Sequence, residues 1–324
     1  MILKTQNITA LYNWHINYSS MKLQMLKILF VLLFFCCNCK AQQEVQNTFF
    51  QFNSVFINPA YSGSREALSA ILNARTQWVY WNGAPKTLIF TMHTPLKNEL
   101  IGAGLNFVSD IIGPTKRNSI YGNISYKIRV NKHAKLSLGM HGGVDLLRNN
   151  FSTLTIIDET DPLRSSNYFN RNIFNIGASI YYYSKKFYTA LSCPRLIENN
   201  LSSNNLFVSK QVRHCFFLLG YVYERGLWGF KPAMQVKGAY NTPVSIDINL
   251  SVYFNRKISM SLFYRNKADI GTNMVFHFSE QMYAGYAYDF SVSNMTKFNT
   301  GSHEIMLGFD LNRKGKAYLT PRYF

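Results

Sequence analysis

The sequence predicts an all-β protein, a single transmembrane antiparallel β-barrel of about 14 strands with a short N-terminal plug-like segment. Three observations point to it. The first is a recurring run of about ten residues in which apolar and polar side chains alternate between turn-forming residues. In Lys86-Thr-Leu-Ile-Phe-Thr-Met-His-Thr-Pro95, Leu88, Phe90 and Met92 share one face while Thr87, Thr91 and His93 share the other. The second is composition: 47% of residues are hydrophobic, yet mean hydropathy is only −0.09. Membrane helices would be far more apolar, whereas a wall with one wet face averages near neutral. The third is an aromatic content of 15%, with 21 Tyr and 25 Phe, enough to build girdles at both membrane interfaces.

The N-terminus reads as an export signal. Met21-Lys-Leu-Gln-Met-Leu-Lys27 is basic, Ile28 to Cys37 is an apolar core too short to span a bilayer, and Cys39-Lys-Ala41 is a small-x-small cleavage site. We therefore expect a signal peptide over residues 1–41, with translation starting at Met1, Met21 or Met25, and a mature barrel over 42–324. Asn38 before Cys39 disfavours lipidation. Residues 42–64 show neither clean alternation nor a long helix; Asn58-Pro59 and Ser62-Gly63 mark turns. Phe49, Phe50, Phe52 and Phe56 suit a segment tucked into the periplasmic mouth of the barrel, away from lipid. With the leader gone, Cys193 and Cys215 remain. Their spacing is not that of a tight hairpin, and we read them as free thiols in adjacent strands, with a single bridge as the alternative.

The expected wall strands are 67–78, 86–95, 100–108, 119–129, 134–146, 173–183, 187–194, 210–223, 228–240, 245–254, 257–265, 271–278, 281–290 and 303–311. The pattern blurs most in 187–194 and 210–223. Elsewhere Ile120, Ile124, Tyr126 and Ile128 oppose Ser119, Asn123, Ser125, Lys127 and Arg129, and Ile246, Ile248, Leu250 and Val252 oppose Ser245, Asp247, Asn249 and Ser251. Leu88, Phe90, Ile124, Ile248 and Leu250 should face lipid, and Arg75, Lys127, Arg129, Asp247 and Asn249 the lumen or its rim. Connections after even-numbered strands are short, while 110–118, 147–172, 194–209 and 291–302 are longer. Short turns face the periplasm in outer-membrane barrels. Both ends of the mature chain are thus expected in the periplasm, and the chain in the bacterial outer membrane.

The whole chain carries a net +18; residues 1–41 hold four Lys and no acid, which leaves 30 basic and 16 acidic residues, a net +14. Such an excess suits anionic outer-membrane lipid or an acidic partner. The charges are scattered along hairpins, so no nucleic acid partner is expected. Chemistry is sparse. The seven His show no zinc spacing, and His303-Glu304 places neighbours on opposite faces of a strand, poor metal geometry; we read them as a buried or lumen-facing polar pair. No Gly-x-Ser-x-Gly elbow is present. Gly102, Gly104, Gly139, Gly142 and Gly143 sit among apolar residues in strands, where they relieve curvature or allow close packing rather than cradle phosphate. We expect no catalytic set, no cofactor and no metal.

An ordered set of motifs carries a family resemblance. Phe52-Asn-Ser-Val-Phe-Ile-Asn-Pro-Ala-Tyr61, Arg75-Thr-Gln-Trp78, Asn82-Gly-Ala-Pro-Lys86, His93-Thr-Pro-Leu-Lys97, Ile112-Gly-Pro-Thr115, Ala287-Tyr-Asp289 and Gly301-Ser-His-Glu-Ile-Met306 resemble the PorP/SprF family of type IX secretion and gliding-motility membrane proteins. Residues 147–210 offer no matching motif. The resemblance implies a non-catalytic outer-membrane component that helps to secrete or anchor cell-surface proteins. Its implied partners are an exported cell-surface protein or adhesin and periplasmic secretion or peptidoglycan-binding components. On these motifs the candidate structural and docking residues are Asn58, Pro59, Ala60, Trp78, Gly83, Pro85, Gly113, Pro114, Asp289, His303 and Glu304. The alternative is a diffusion channel or solute transporter, since alternating strands also build pores; an outer-membrane phospholipase comes third. A lumen filled by residues 45–64 favours the anchor, an open bore the channel.

Overall fold

The computed structural model describes residues 44–96, 99–150, 168–199 and 211–311. The chain divides into two units, Met1–Ala41 and Gln42–Phe324. The signal-peptide reading falls on the first and lies outside the described residues; the second is the barrel. Its strands are β1 (Leu68–Thr76), β2 (Lys86–Pro95), β3 (Ile101–Ile112), β4 (Thr115–Arg129), β5 (Ala134–Asn150), β6 (Tyr168–Ser184), β7 (Phe187–Cys193), β8 (His214–Tyr221), β9 (Tyr223–Arg225), β10 (Trp228–Ala239), β11 (Ser245–Phe254), β12 (Ile258–Arg265), β13 (Asp269–His277), β14 (Met282–Ser291) and β15 (Ser302–Leu311).

All neighbours pair antiparallel, and β15 returns to pair with β1 (Leu68 opposite Leu311, Thr76 opposite His303), closing the sheet. β8 and β9 both pair with β10 and are interrupted only at the fully buried Val222, so they form one wall strand and the barrel has 14. Closure satisfies every edge, the condition for strands in hydrocarbon. No helix among the described residues is long and apolar enough to cross a membrane.

Alternation decides which way each side chain points. Leu72, Leu88, Ile124, Met140, Ile248, Leu250 and Leu262 are exposed on the outer wall, whereas Asn73, Arg75, Thr91, Lys127 and Asn249 are buried in the lumen. Phe90 shares the outer face, half-buried, and Arg129 ends β4 exposed at the rim. At the short-turn rim Tyr221, Tyr223, Trp228, Phe254, Phe276 and Phe278 are exposed, with Trp228 and Phe254 ring centroids 4.8 Å apart; Phe290 lies toward the other rim. These are the aromatic belts of a membrane barrel.

Three expectations need correction. The connection expected over 110–118 is a two-residue turn, Gly113-Pro114, because β3 and β4 run on as a paired ribbon to Ile112 and Thr115. Likewise β5 and β6 extend to Asn150 and Tyr168, so the 147–172 connection shrinks to 151–167, outside the described residues. Cys193 and Cys215 are bridged rather than free. The β7–β8 register sets Ser192 opposite Phe216, which brings the next pair, Cys193 and Cys215, to a Cα separation of 4.3 Å. Sequence spacing concealed this, since a long loop separates strands that are nonetheless neighbours.

Candidate functional site

The lumen is occupied by the chain's own residues 44–66. Two short 3₁₀ turns, Ser54–Phe56 and Pro59–Tyr61, compact the segment, the second capped by the Asn58 side chain, which accepts from the Ala60 N–H at 3.0 Å. Pro59 at the first position of that turn needs no N–H partner there. Ala60 N–H also meets Ser179 Oγ at 2.8 Å, and a Cβ added at Gly139 would collide with the backbone N and Cα of Ala60. Gly102 is as tight, since a Cβ there would run into the carbonyl of Ser62. Only glycine lets the wall meet the plug backbone this closely.

Apolar contacts fix the plug laterally. Phe49 and Phe52 cluster with Ile71, Val275, Tyr283 and Met306, while Phe50, Val55, Ala60 and Tyr61 cluster with Tyr181, Tyr183, Tyr188 and Leu218. Phe56 is half-buried beside a cavity of ≈ 40 Å³ lined also by Glu44, Tyr121 and Arg195. A second cavity, near Gln46 and Arg265, is ≈ 20 Å³. Both are the size of a very few waters.

Polar contacts fix it along the axis. Near the short-turn rim the Arg65 guanidinium meets Asp310 at 2.8 Å and Tyr283 Oη at 2.8 Å, and Lys127 Nζ donates to Gly63 O at 2.6 Å. At mid-height Asn53 binds Asn73 and Thr91, Val55 O accepts from Asn106, and Ile57 O accepts from Ser192. Toward the long-loop rim Arg75 pairs with Asp289 at 2.6 Å and Glu304 at 3.2 Å, and Thr48 donates to both carboxylates. Arg265 meets Asp269 at 2.8 Å, Asp247 at 3.2 Å and Gln46 at 2.9 Å. At the end of the segment Arg195 donates to Glu44 at 2.6 Å and to Asp145 at 3.1 Å. Burial pushes the Glu44 carboxyl up, but Arg195, Arg117 and His214 outweigh it and hold the group at about 2. Residues 44–66 therefore traverse the lumen from one rim to the other. This corrects the expectation of a segment confined to the periplasmic mouth: Glu44 sits toward the long-loop end, where luminal cations, invisible to strand patterning, receive it.

All but one of the motif residues lie in one of two places, the lumen or the long-loop rim. Asn58, Pro59 and Ala60 are buried in the plug, and Asp289 and Glu304 are buried in the ion network. His303 faces outward instead, its Nδ1 2.6 Å from Tyr286 Oη, so the reading of His303 and Glu304 as one inward polar pair holds for Glu304 alone. Trp78, Gly83, Pro85, Gly113 and Pro114 come together at the long-loop rim. Gly83, with φ +76°, accepts at its carbonyl from the Gly113 N–H at 2.9 Å; Gln77 N–H donates to Pro85 O, and Asn150 N–H to Pro114 O. Trp78 N–H reaches Ser302 Oγ at 3.2 Å, Val79 N–H reaches Gly301 O at 2.9 Å, and Trp81 meets Phe298 edge-on at 5.5 Å. The sequence reading missed Tyr80 and Phe298, which are 88% and 60% exposed. Aromatic residues bordering Gly/Pro turns were the available signal.

A family model described as type IX secretion system membrane protein PorP/SprF matches residues 39–309. The chain belongs to this PorP/SprF family. It is a bacterial outer-membrane β-barrel and a component of type IX secretion. No curated protein matches it. Among solved structures, the CymD monoaromatic hydrocarbon channel is similar at 10% identity and a TM-score of 0.49, over 80% of this chain and 91% of that one. The Ralstonia pickettii toluene transporter TbuX follows at 7% and 0.48 over 78% and 92%, and outer membrane phospholipase A from Escherichia coli at 8% and 0.36 over 79% and 99%. None of these likenesses bears on what this PorP/SprF protein carries or does.

Proposed function

We propose that this PorP/SprF protein is a non-catalytic, plugged platform that helps to secrete or anchor exported cell-surface proteins of the type IX secretion and gliding-motility machinery. The observation that carries the reading is the lumen filled from Glu44 to Glu66. A solute pore needs a wet path, and here ion pairs and aromatic side chains occupy it. The partner surface is the long-loop rim, where Tyr80, Trp81 and Phe298 stand exposed on turns braced by the Gly83–Gly113 contact. Exposed aromatics on a rigid base are the usual anchors of a protein interface. The exported protein or adhesin docks on that rim, and periplasmic secretion or peptidoglycan-binding components meet the short-turn rim.

The test combines Tyr80→Ser, Trp81→Ser and Phe298→Ser in one variant and deletes residues 151–167 in another. Both should still insert in the outer membrane, shown by heat-modifiable migration, and both should release surface proteins into the medium. Surface proteins and motility retained, together with lost small-solute permeability, would replace the platform by the channel.

A further inference from the structure

One register row on the outer wall carries charge with no counter-charge among the described residues. Lys86 lies opposite Ile111, Ile111 opposite Lys116, and Lys116 opposite Arg148, so the row crosses β2, β3, β4 and β5 at the level of the long-loop rim. All four side chains are exposed, and their chain neighbours Thr87, Asp110 and Leu147 are buried inward, so the row points away from the lumen. No ion pair joins Lys86, Lys116 or Arg148 to a described residue, and the nearby carboxylates Asp110 and Asp145 face the opposite side of the wall. Like charges placed directly opposite across two strands are destabilising. Lys116 and Arg148 are such a pair, and an anion shared between them removes the cost.

Beside Lys86 the wall is indented by a cleft of ≈ 340 Å³, with Ala74, Leu88, Ile111 and Ile305 among its lining and Lys86 and His303 at its edge. The small side chain of Ala74 between larger neighbours makes the indentation. An apolar cleft on the lipid side of the wall and a basic row above it, at the rim facing the outer leaflet, match an amphiphile with an anionic head. Arg and Lys together suit phosphate, the former through a bidentate fork. Lys86 stands two strands from Lys116, about 10 Å away, so a head with two separated phosphates reaches Lys86 with one and the Lys116–Arg148 pair with the other.

We propose that Lys86, Lys116 and Arg148, with the Ala74 cleft, form a binding site for a phosphorylated glycolipid of the outer leaflet, its phosphates on the cations and an acyl chain in the cleft. The site is independent of the platform reading.

Native mass spectrometry of the full chain in neutral detergent tests it, with diphosphoryl lipid A, monophosphoryl lipid A, phosphatidylglycerol and inorganic phosphate as separate probes. The wild type should retain diphosphoryl lipid A best. Lys86→Gln/Lys116→Gln/Arg148→Gln should weaken that retention at least about tenfold, while Lys185→Gln/Lys186→Gln/Lys257→Gln, which removes equal charge at the short-turn rim, should not. Ala74→Trp, which fills the cleft and leaves every charge, should also weaken it, and serves if the triple variant does not fold. Equal loss in both triple variants, unchanged binding in the first triple variant and in Ala74→Trp, or equal retention of phosphatidylglycerol or free phosphate would overturn the proposal.

Discussion

Arg75 shows what a single buried cation decides here. It is 3% exposed and holds Asp289, Glu304 and Thr48 together, so the plug and strands β1, β14 and β15 share one charge network. Arg75→Met leaves the buried Glu304 without its cation and Asp289 with only Arg265, 4.0 Å away, and should cost about 3–5 kcal/mol, read as a lowered midpoint in urea unfolding from lipid vesicles. Ile248, 43% exposed on the wall of β11, tests the facing: Ile248→Arg should cost about 2–4 kcal/mol near the midplane, and no loss in a refolding titration would mean a one-residue register error. Glu44 tests the pH dependence. Its folded value of about 2 lies below the ordinary 4.5, so its contribution is present above pH 4.5 and is lost as pH falls from there toward 2. Glu44→Gln should flatten the acid loss of protease resistance of the plug in that window and leave the neutral-pH profile of the other ion pairs in place.

At the scale of elements, the wall and the plug fit through backbone contact. Gly139→Val would drive a branched side chain into Ala60 and displace the Pro59–Tyr61 turn. We expect a loss of about 1–3 kcal/mol and protease cleavage within residues 44–66 while the wall stays folded. The β7–β8 pair is held by the Cys193–Cys215 bridge across the connection between them. Neither cysteine should take an alkylating label in denaturant until reductant is added, and Cys193→Ser/Cys215→Ser should lower stability by about 2–4 kcal/mol.

At the scale of the molecule, a filled lumen sets the permeability. Reconstituted in a planar bilayer, the protein should pass no steady current above leak, and a stable ohmic conductance of porin size would show that residues 44–66 leave the lumen open.

The strands were legible in the sequence because alternation is local: Leu88 with Thr87, or Ile248 with Asp247, states its own facing, and lipid on one side and polar lumen on the other enforce it along every strand. The same alternation placed Arg75 and Asn249 on the inner face, and the Gly/Pro pairs placed the turns. What tertiary structure alone decided depends on which strands lie side by side and on what fills the space between them. Arg75 meets Asp289 and Glu304 because closure sets β15 beside β1, far apart in the chain. Cys193 meets Cys215 because β7 pairs with β8 across a long loop. Lys86, Lys116 and Arg148 align because three registers add up. Residues 44–66 cross the whole lumen because Arg195 holds Glu44 at one end, Asp289 and Glu304 accept from Thr48, and Asp310 holds Arg65 at the other end, and no periodicity along the chain encodes that set of partners.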